Sequence, residues 1–184
     1  MNEPIELHPC DPDWPDAFER ERALIAPLFA EHPRLIEHMG STSVPGLPAK
    51  PIIDIIVLVD DLAAAMDAIP ALEETGYSFW RDNPDKTKLF LVRGLPPAPR
   101  RTHHLHIYDD ADEVQRHLIF RDHLRSSAEA RAAYLALKQE LAARFRDDRE
   151  AYSKGKTAFV DGLVASLGGA GHRTPGDPAR PHQI

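Results

Sequence analysis

Residues 52–59, Ile-Ile-Asp-Ile-Ile-Val-Leu-Val, form an apolar run interrupted by a single carboxylate, Asp54. A run this rich in β-branched side chains fits a strand covered on both faces, inside a sheet rather than at its margin. Burying an unpartnered carboxylate there costs several kcal/mol. The strand must therefore aim Asp54 at a cation, a hydrogen-bond cluster or a cleft. Upstream, Leu35–Met39 reads as a strand that ends in a turn of small residues, Gly40-Ser41-Thr42-Ser43. Glycine and serine in a turn let backbone N–H groups and a hydroxyl approach a phosphate oxygen. Gly-Ser pairs are common by themselves, and the spacing to Asp54 gives this one its weight. Two plainer readings stand beside these: a buried hydrogen-bond anchor for Asp54, and simple turn formation for the serines.

The remaining pattern places strands early and helices late. Residues 5–9 read as an extended arm stopped by Pro9 and Pro12. Asp13 as N-cap and Pro15 in the first turn open an amphipathic helix over 15–31. Asp60 or Asp61 caps a second helix through 63–75, ended by Gly76. Strands follow at 77–80 and 88–93, with polar loop 82–87 between them and a proline-rich loop at 94–99. His103–Tyr108 is the last strand. Helices are expected over 113–125, 128–145 and 152–167, and a disordered tail over 168–184. The fold class is α+β: one domain over residues 1–167 with a helical C-terminal region.

Bulk properties exclude several functions. The 22 basic and 29 acidic residues give a net charge of −7, which argues against a nonspecific grip on nucleic acid or an anionic membrane. A single cysteine, Cys10, excludes an internal disulfide framework and any multi-cysteine zinc site. The chain has no apolar stretch long enough to span a bilayer and no basic, then apolar leader, so the expected location is cytoplasmic.

The segment from Ile36-Glu37-His38-Met39 through the Gly40-Ser41 turn to Asp54 resembles the signature of the GrpB family of bacterial proteins. Leu7-His8-Pro9, Asp11-Pro12-Asp13-Trp14, Thr102-His103-His104-Leu105-His106-Ile107, Phe120-Arg121-Asp122, and Tyr152 with Lys156 fit the same family. That family belongs to the nucleotidyltransferase-like superfamily, whose pattern is an apolar strand, Gly-Ser, a spacer and Asp-apolar-Asp. The resemblance implies a mixed β-sheet with flanking helices, and a site that handles a nucleotide or another phosphorylated small molecule. It also exposes a departure, because the second acid position is Ile56. Two acids there would hold a pair of magnesium ions, and one acid beside isoleucine is a poor site for two hard cations.

His104 and His106 project from one strand face and could ligate a single divalent metal with Asp54. Imidazole shifts the preference from magnesium toward manganese or zinc, or iron or nickel. Ordinary hydrogen bonding of the two histidines is the alternative. Gly40, Ser41, Thr42 and Ser43 would line the phosphate, with Lys50 and Lys156 as neutralising charges. Lys50 could equally be solvated, and Lys156 pairs with Tyr152 at i, i+4. Arg121 and Asp122 read as an intrahelical ion-pair set, and Trp14 and Trp80 as packing. Three functions compete. Metal-dependent nucleotidyl transfer with Asp54 as the catalytic acid leads. A degenerate nucleotide- or phosphometabolite-binding module follows, linked by family resemblance to coenzyme A metabolism. A histidine-centred phosphoesterase is third, since Tyr108 stands where a histidine triad needs its third histidine.

Overall fold

Alternating side chains on the central strands divide the protein into a sealed face and a chemical one. A computed structural model describes residues 4–31 and 33–171. The described residues form a five-stranded sheet in the order β1-β2-β5-β4-β3. Its strands are β1 (Leu35–Met39), β2 (Ile53–Leu58), β3 (Tyr77–Phe79), β4 (Leu89–Arg93) and β5 (His103–Tyr108). β2 lies between antiparallel β1 and parallel β5, which explains why every residue but Asp54 is apolar. β4 and β3 extend the sheet antiparallel to β5.

On the sealed face, Ile53, Ile55, Val57, Leu91, Leu105 and Ile107 pack with Trp14, Phe18 and Ile25 of α1 (Trp14–Ile25). Ile69 and Leu72 of α3 (Ile69–Glu74) complete that core. On the other face, Met39, Ile56 and Tyr108 meet Val114 and Leu118 of α4 (Ala111–Ser126). The helices α5 (Ala128–Arg144), α6 (Arg149–Lys154) and α7 (Thr157–Ser166) follow. The N-terminal arm is tied by an isolated bridge between His8 and Ala49, and Ile5 packs against Leu141 and Tyr152.

Three expected helices end or break earlier than periodicity suggests. The first stops at Ile25 and continues as a 3-10 turn over Ala26–Leu28, because Pro27 lacks the N–H an α-helix would need. The second divides into α2 (Leu62–Ala65), capped by Asp61, a 3-10 turn and α3, with Pro70 opening α3. The third is two helices broken at Gly155 and Lys156. A Cβ on Gly155 would lie 2.5 Å from Leu141 Cδ2, so the missing side chain lets this bend press against α5. Tyr152 and Lys156 therefore do not share one helix. Of the expected tail, residues 172–184 lie outside the described residues.

Candidate functional site

The site forms where the C-terminal end of β1 meets the first turns of β2 and β5. Strand register sets Met39 opposite Asp54, and Asp54 opposite His104. His106, two residues along, shares the face of His104 and lies opposite Ile56 and Phe90. Asp54 Oδ1 accepts a hydrogen bond from His104 Nδ1 at 2.9 Å. Phe90 packs against both imidazoles, at 5.4 Å from His104 and 4.7 Å from His106 between ring centroids. One ligand atom from each of Asp54, His104 and His106 fits within 4.8 Å of the others. His104 Nε2 and His106 Nδ1 are buried with no hydrogen-bond partner among the described residues. Two orphaned imidazole nitrogens beside a carboxylate suit a borderline metal ion such as zinc or manganese.

The turn after β1 reaches this acid directly. Gly40 has φ +71°, and a Cβ there would come within 2.5 Å of Asp54 Oδ2. Only glycine combines that backbone with that approach. The hydroxyls of the turn divide by role. Thr42 is buried; its Oγ1 pairs with His38 Nε2 at 3.0 Å and donates to the Ile52 carbonyl at 3.2 Å. Ser43 Oγ donates to the Gly40 carbonyl at 2.6 Å. Both are engaged in holding the turn, while Ser41 Oγ accepts from Lys138 Nζ at 3.2 Å.

Cations gather on this side. Lys50 lies 5.3 Å and Lys156 4.6 Å from the centroid of the Tyr152 ring, from segments far apart in the chain. Burial pushes Lys50 down to about 8, assisted by the like charges of Arg149 and Lys156. Burial also lowers Lys156, against the pull of Asp54. Burial alone would raise the Asp54 carboxyl, but the His104 hydrogen bond and the fields of His104, His106 and Lys50 hold it well below the usual carboxylate range. His106 is kept neutral by burial and by Lys88. Asp54 is therefore an anion set between the N–H of His104, a neutral His106 and a cationic wall.

The second acid position is closed rather than merely vacant of charge. Ile56 is 0% exposed, sealed with Met39 and Tyr108 beneath Val114 and Leu118. Trp14 is buried in the core and Trp80 is half exposed, edge-on to Phe90 at 6.2 Å. Arg121 does pair with Asp122, yet it also reaches Glu37 at 2.6 Å and the His38 carbonyl at 2.9 Å, clamping α4 to β1.

Sequence reasoning missed Lys138 and His38. Lys138 is 1% exposed and shares a helix face with Tyr134 and Leu141. A lysine recurring at core spacing in an otherwise apolar stripe was the signal that could have found it. His38 sat inside the quoted β1 motif, but nothing in its spacing distinguished it from an exposed strand residue.

The sequence profile described as "GrpB protein" matches residues 4–166. The UPF0157 protein PA4798 of Pseudomonas aeruginosa is 44% identical over 157 residues, covering 85% of this chain. This chain spans 64% of that relative's length. A dephospho-CoA kinase of Mycolicibacterium paratuberculosis is 31% identical over 81% of this chain, which spans 42% of that protein. Among solved structures, the conserved protein GrpB from Enterococcus faecalis superposes with TM-score 0.78 at 34% identity, covering 88% of this chain and 96% of that one. Cid1 in complex with its short product ApU superposes with TM-score 0.54 at 12% identity, covering 82% of this chain and 49% of that one, a likeness of fold. No described helix is long and apolar enough to cross a membrane.

Proposed function

The chain belongs to the GrpB family, and from that premise we propose that it catalyses metal-dependent nucleotidyl transfer to a small-molecule or protein acceptor. The observation that carries this reading is the convergence of Asp54, His104 and His106 within 4.8 Å, beside the Gly40-Ser41 turn. Asp54, His104 and His106 would hold one divalent metal ion. Three protein ligands leave coordination positions for a substrate, as catalytic sites require. The ion, when bound, supplies a Lewis acid that polarises a phosphoryl oxygen. Ile56 removes the second acid, so the site is built for one ion.

The chain's own groups do the rest. The backbone of Gly40 and the Ser41 hydroxyl receive phosphate oxygens, and Lys50 and Lys156 neutralise them. The bond from His104 Nδ1 to the Asp54 carboxylate fixes the tautomer and leaves Nε2 as the nitrogen with a free lone pair. The fold likeness to Cid1, a protein captured with a dinucleotide product, supports a nucleotide as ligand class. The likeness to a dephospho-CoA kinase supports including dephospho-coenzyme A among the ligands screened.

One observation favours a second reading. A carboxylate that orients an imidazole with a free Nε2 is also the arrangement of a general base, which suits a histidine-centred phosphoesterase. Untagged protein, analysed for metal and incubated with nucleoside triphosphates, separates the two. Transfer predicts bound manganese or zinc, lost in His104→Ala/His106→Ala, and a nucleotidylated product on mass spectrometry, absent in Asp54→Asn. Equal metal content in the double variant would refute the metal site. Release of nucleoside monophosphate to water, unaffected by chelator, would replace transfer with the hydrolase.

A further inference from the structure

We infer that the acceptor of the transferred nucleotide carries a flat, uncharged ring, and that Trp80 and Phe90 form the surface on which that ring docks. The inference rests on the transfer reading and names the second substrate. Trp80 follows directly on β3, and its N–H donates to the Phe90 carbonyl at 3.0 Å. The register that pairs Phe79 with Leu91, and Phe90 with His106, puts Trp80, Phe90 and His106 on one face of the sheet. Their rings form a continuous row. Trp80 lies 6.2 Å from Phe90, and Phe90 lies 4.7 Å from His106 and 5.4 Å from His104. The row runs from solvent to the imidazoles beside Asp54.

Trp80 is 50% exposed, the most open of the large apolar side chains among the described residues. A single exposed apolar side chain is ordinary. Trp80 differs because its ring continues an inner row and its backbone is held on both sides. The Asn83 N–H donates to its carbonyl at 3.2 Å, and Arg81 beside it binds Glu73 through two nitrogens at 2.9 Å. An indole on so fixed a backbone loses little freedom when a ligand stacks on it. Arg81 and Lys88 adjoin the two aromatic residues in the chain, and each is paired, with Glu73 and with Asp85 at 3.2 Å. The row therefore offers π surface rather than a free cation, which suits a flat ring over an anion.

Strand order decides which substrate the ring belongs to. The Gly40-Ser41 turn follows β1, on one side of the β2-β5 pair, and Phe90 and Trp80 lie on the other side. In phosphoryl transfer the attacking and leaving oxygens stand roughly in line across the phosphorus. With the phosphates of the leaving group received at the turn, the attacking oxygen arrives from the β4 side. The acceptor's hydroxyl oxygen bonds to the α-phosphorus of a nucleoside triphosphate as the bond to the bridging oxygen breaks. Pyrophosphate departs with that electron pair, and the hydroxyl proton passes to solvent.

Trp80 is its own reporter, because Trp14, the other tryptophan, is 6% exposed and shielded from a soluble quencher. Acrylamide quenching of the full chain is measured with adenosine and with ribose, each with and without manganese and α,β-methylene-ATP. Adenosine should shield Trp80, ribose should not, and the shielding should survive saturation with the ATP analogue. Trp80→Ala should weaken adenosine binding, followed by equilibrium dialysis, roughly 5- to 100-fold, the loss expected for one stacked base. Indifference of Trp80 to adenosine, equal shielding by ribose, or unaltered dialysis with Trp80→Ala would each overturn the inference. Displacement of adenosine by the analogue would overturn it too, because the ring would then be the nucleotide's own base. The quenching readouts need no variant, so a folding defect cannot obscure them. A chain that binds the analogue but leaves Trp80 bare to acrylamide sinks this inference alone. One that shields Trp80 with adenosine yet never binds the analogue sinks the transfer reading, and the acceptor role with it.

Discussion

The two faces of the central sheet are built from the same two strands, β2 and β5, and differ sharply in chemistry. Ile53, Ile55, Val57, Leu105 and Ile107 turn toward α1 and α3, each 5% exposed or less. Their neighbours Asp54, His104 and His106 turn the other way and cluster together, with Asp54 against the Gly40 turn. Parity along a strand puts the polar groups on one face only, beside the smaller cluster around Ile56 and Tyr108, and a slip of one residue in register would bury them in the larger core. The sealed face stabilises the fold and thereby holds the chemical face in register, including the orphaned nitrogens that stability alone would not favour.

The sharpest way to break the comparison is Ile55→Ala. The side chain is 0% exposed, and its truncation should cost about 2–5 kcal/mol in chemical unfolding. Metal content per folded molecule should not change. A parallel loss of metal would mean the two faces do not act independently. Asp54→Asn is the mirror experiment. It should weaken metal retention by roughly 10- to 100-fold, while moving global stability by no more than about 1 kcal/mol. Gly40→Ala should cost about 1–2 kcal/mol for its left-handed backbone and additionally displace the Asp54 carboxylate. Gly46→Ala is its control, since Gly46 has φ +76° with nothing within 4 Å of an added Cβ. Both variants should lose stability and Gly40→Ala alone should lose metal; equal metal loss would remove the contact from the argument.

The smallest effect concerns pH. Burial is the main force holding His38 down to about 4, reinforced by Arg125 and Arg121 against Asp54. Its folded value lies below the unfolded one, so its contribution is present above about pH 6.5 and is lost as pH falls toward 4. Urea unfolding across that window should show a slope that flattens in His38→Gln by up to about 1.4 kcal/mol per pH unit. An unchanged slope would mean that burial does not hold the imidazole neutral.

Local features carried most of the architecture in legible form. The apolar run 52–59 announced a central strand, and β1 and β5 occur where alternation and turn residues placed them. Asp54 was readable because a lone charge in such a run needs a reason to be there. Its meeting with His104 followed only from strand order, and the coordinates supply the register that creates it. Lys138 could not be identified as part of the wall, because its partners Ser41 and Pro48 lie 97 and 90 residues away. The helix breaks at Pro27 and Gly155 were visible as residues, yet periodicity runs through both and hid them. The dual engagement of Thr42 with His38 and Ile52 was equally hidden, since a threonine in a turn looks the same whichever way its hydroxyl points.

Parallel pairing of β2 with β5 has a consequence for how the molecule comes into being. Asp54 and His104 are 50 residues apart, and the segments of β3 and β4 are synthesised before β5 emerges to pair with β2. Long-range pairings of this kind close late and slowly. A nascent chain that has emerged only through β4 thus holds its carboxylate with neither imidazole in place. On the proposed metal site, competence to hold an ion would arrive as a single event, with the last strand, and recovery of bound metal during refolding would time that step.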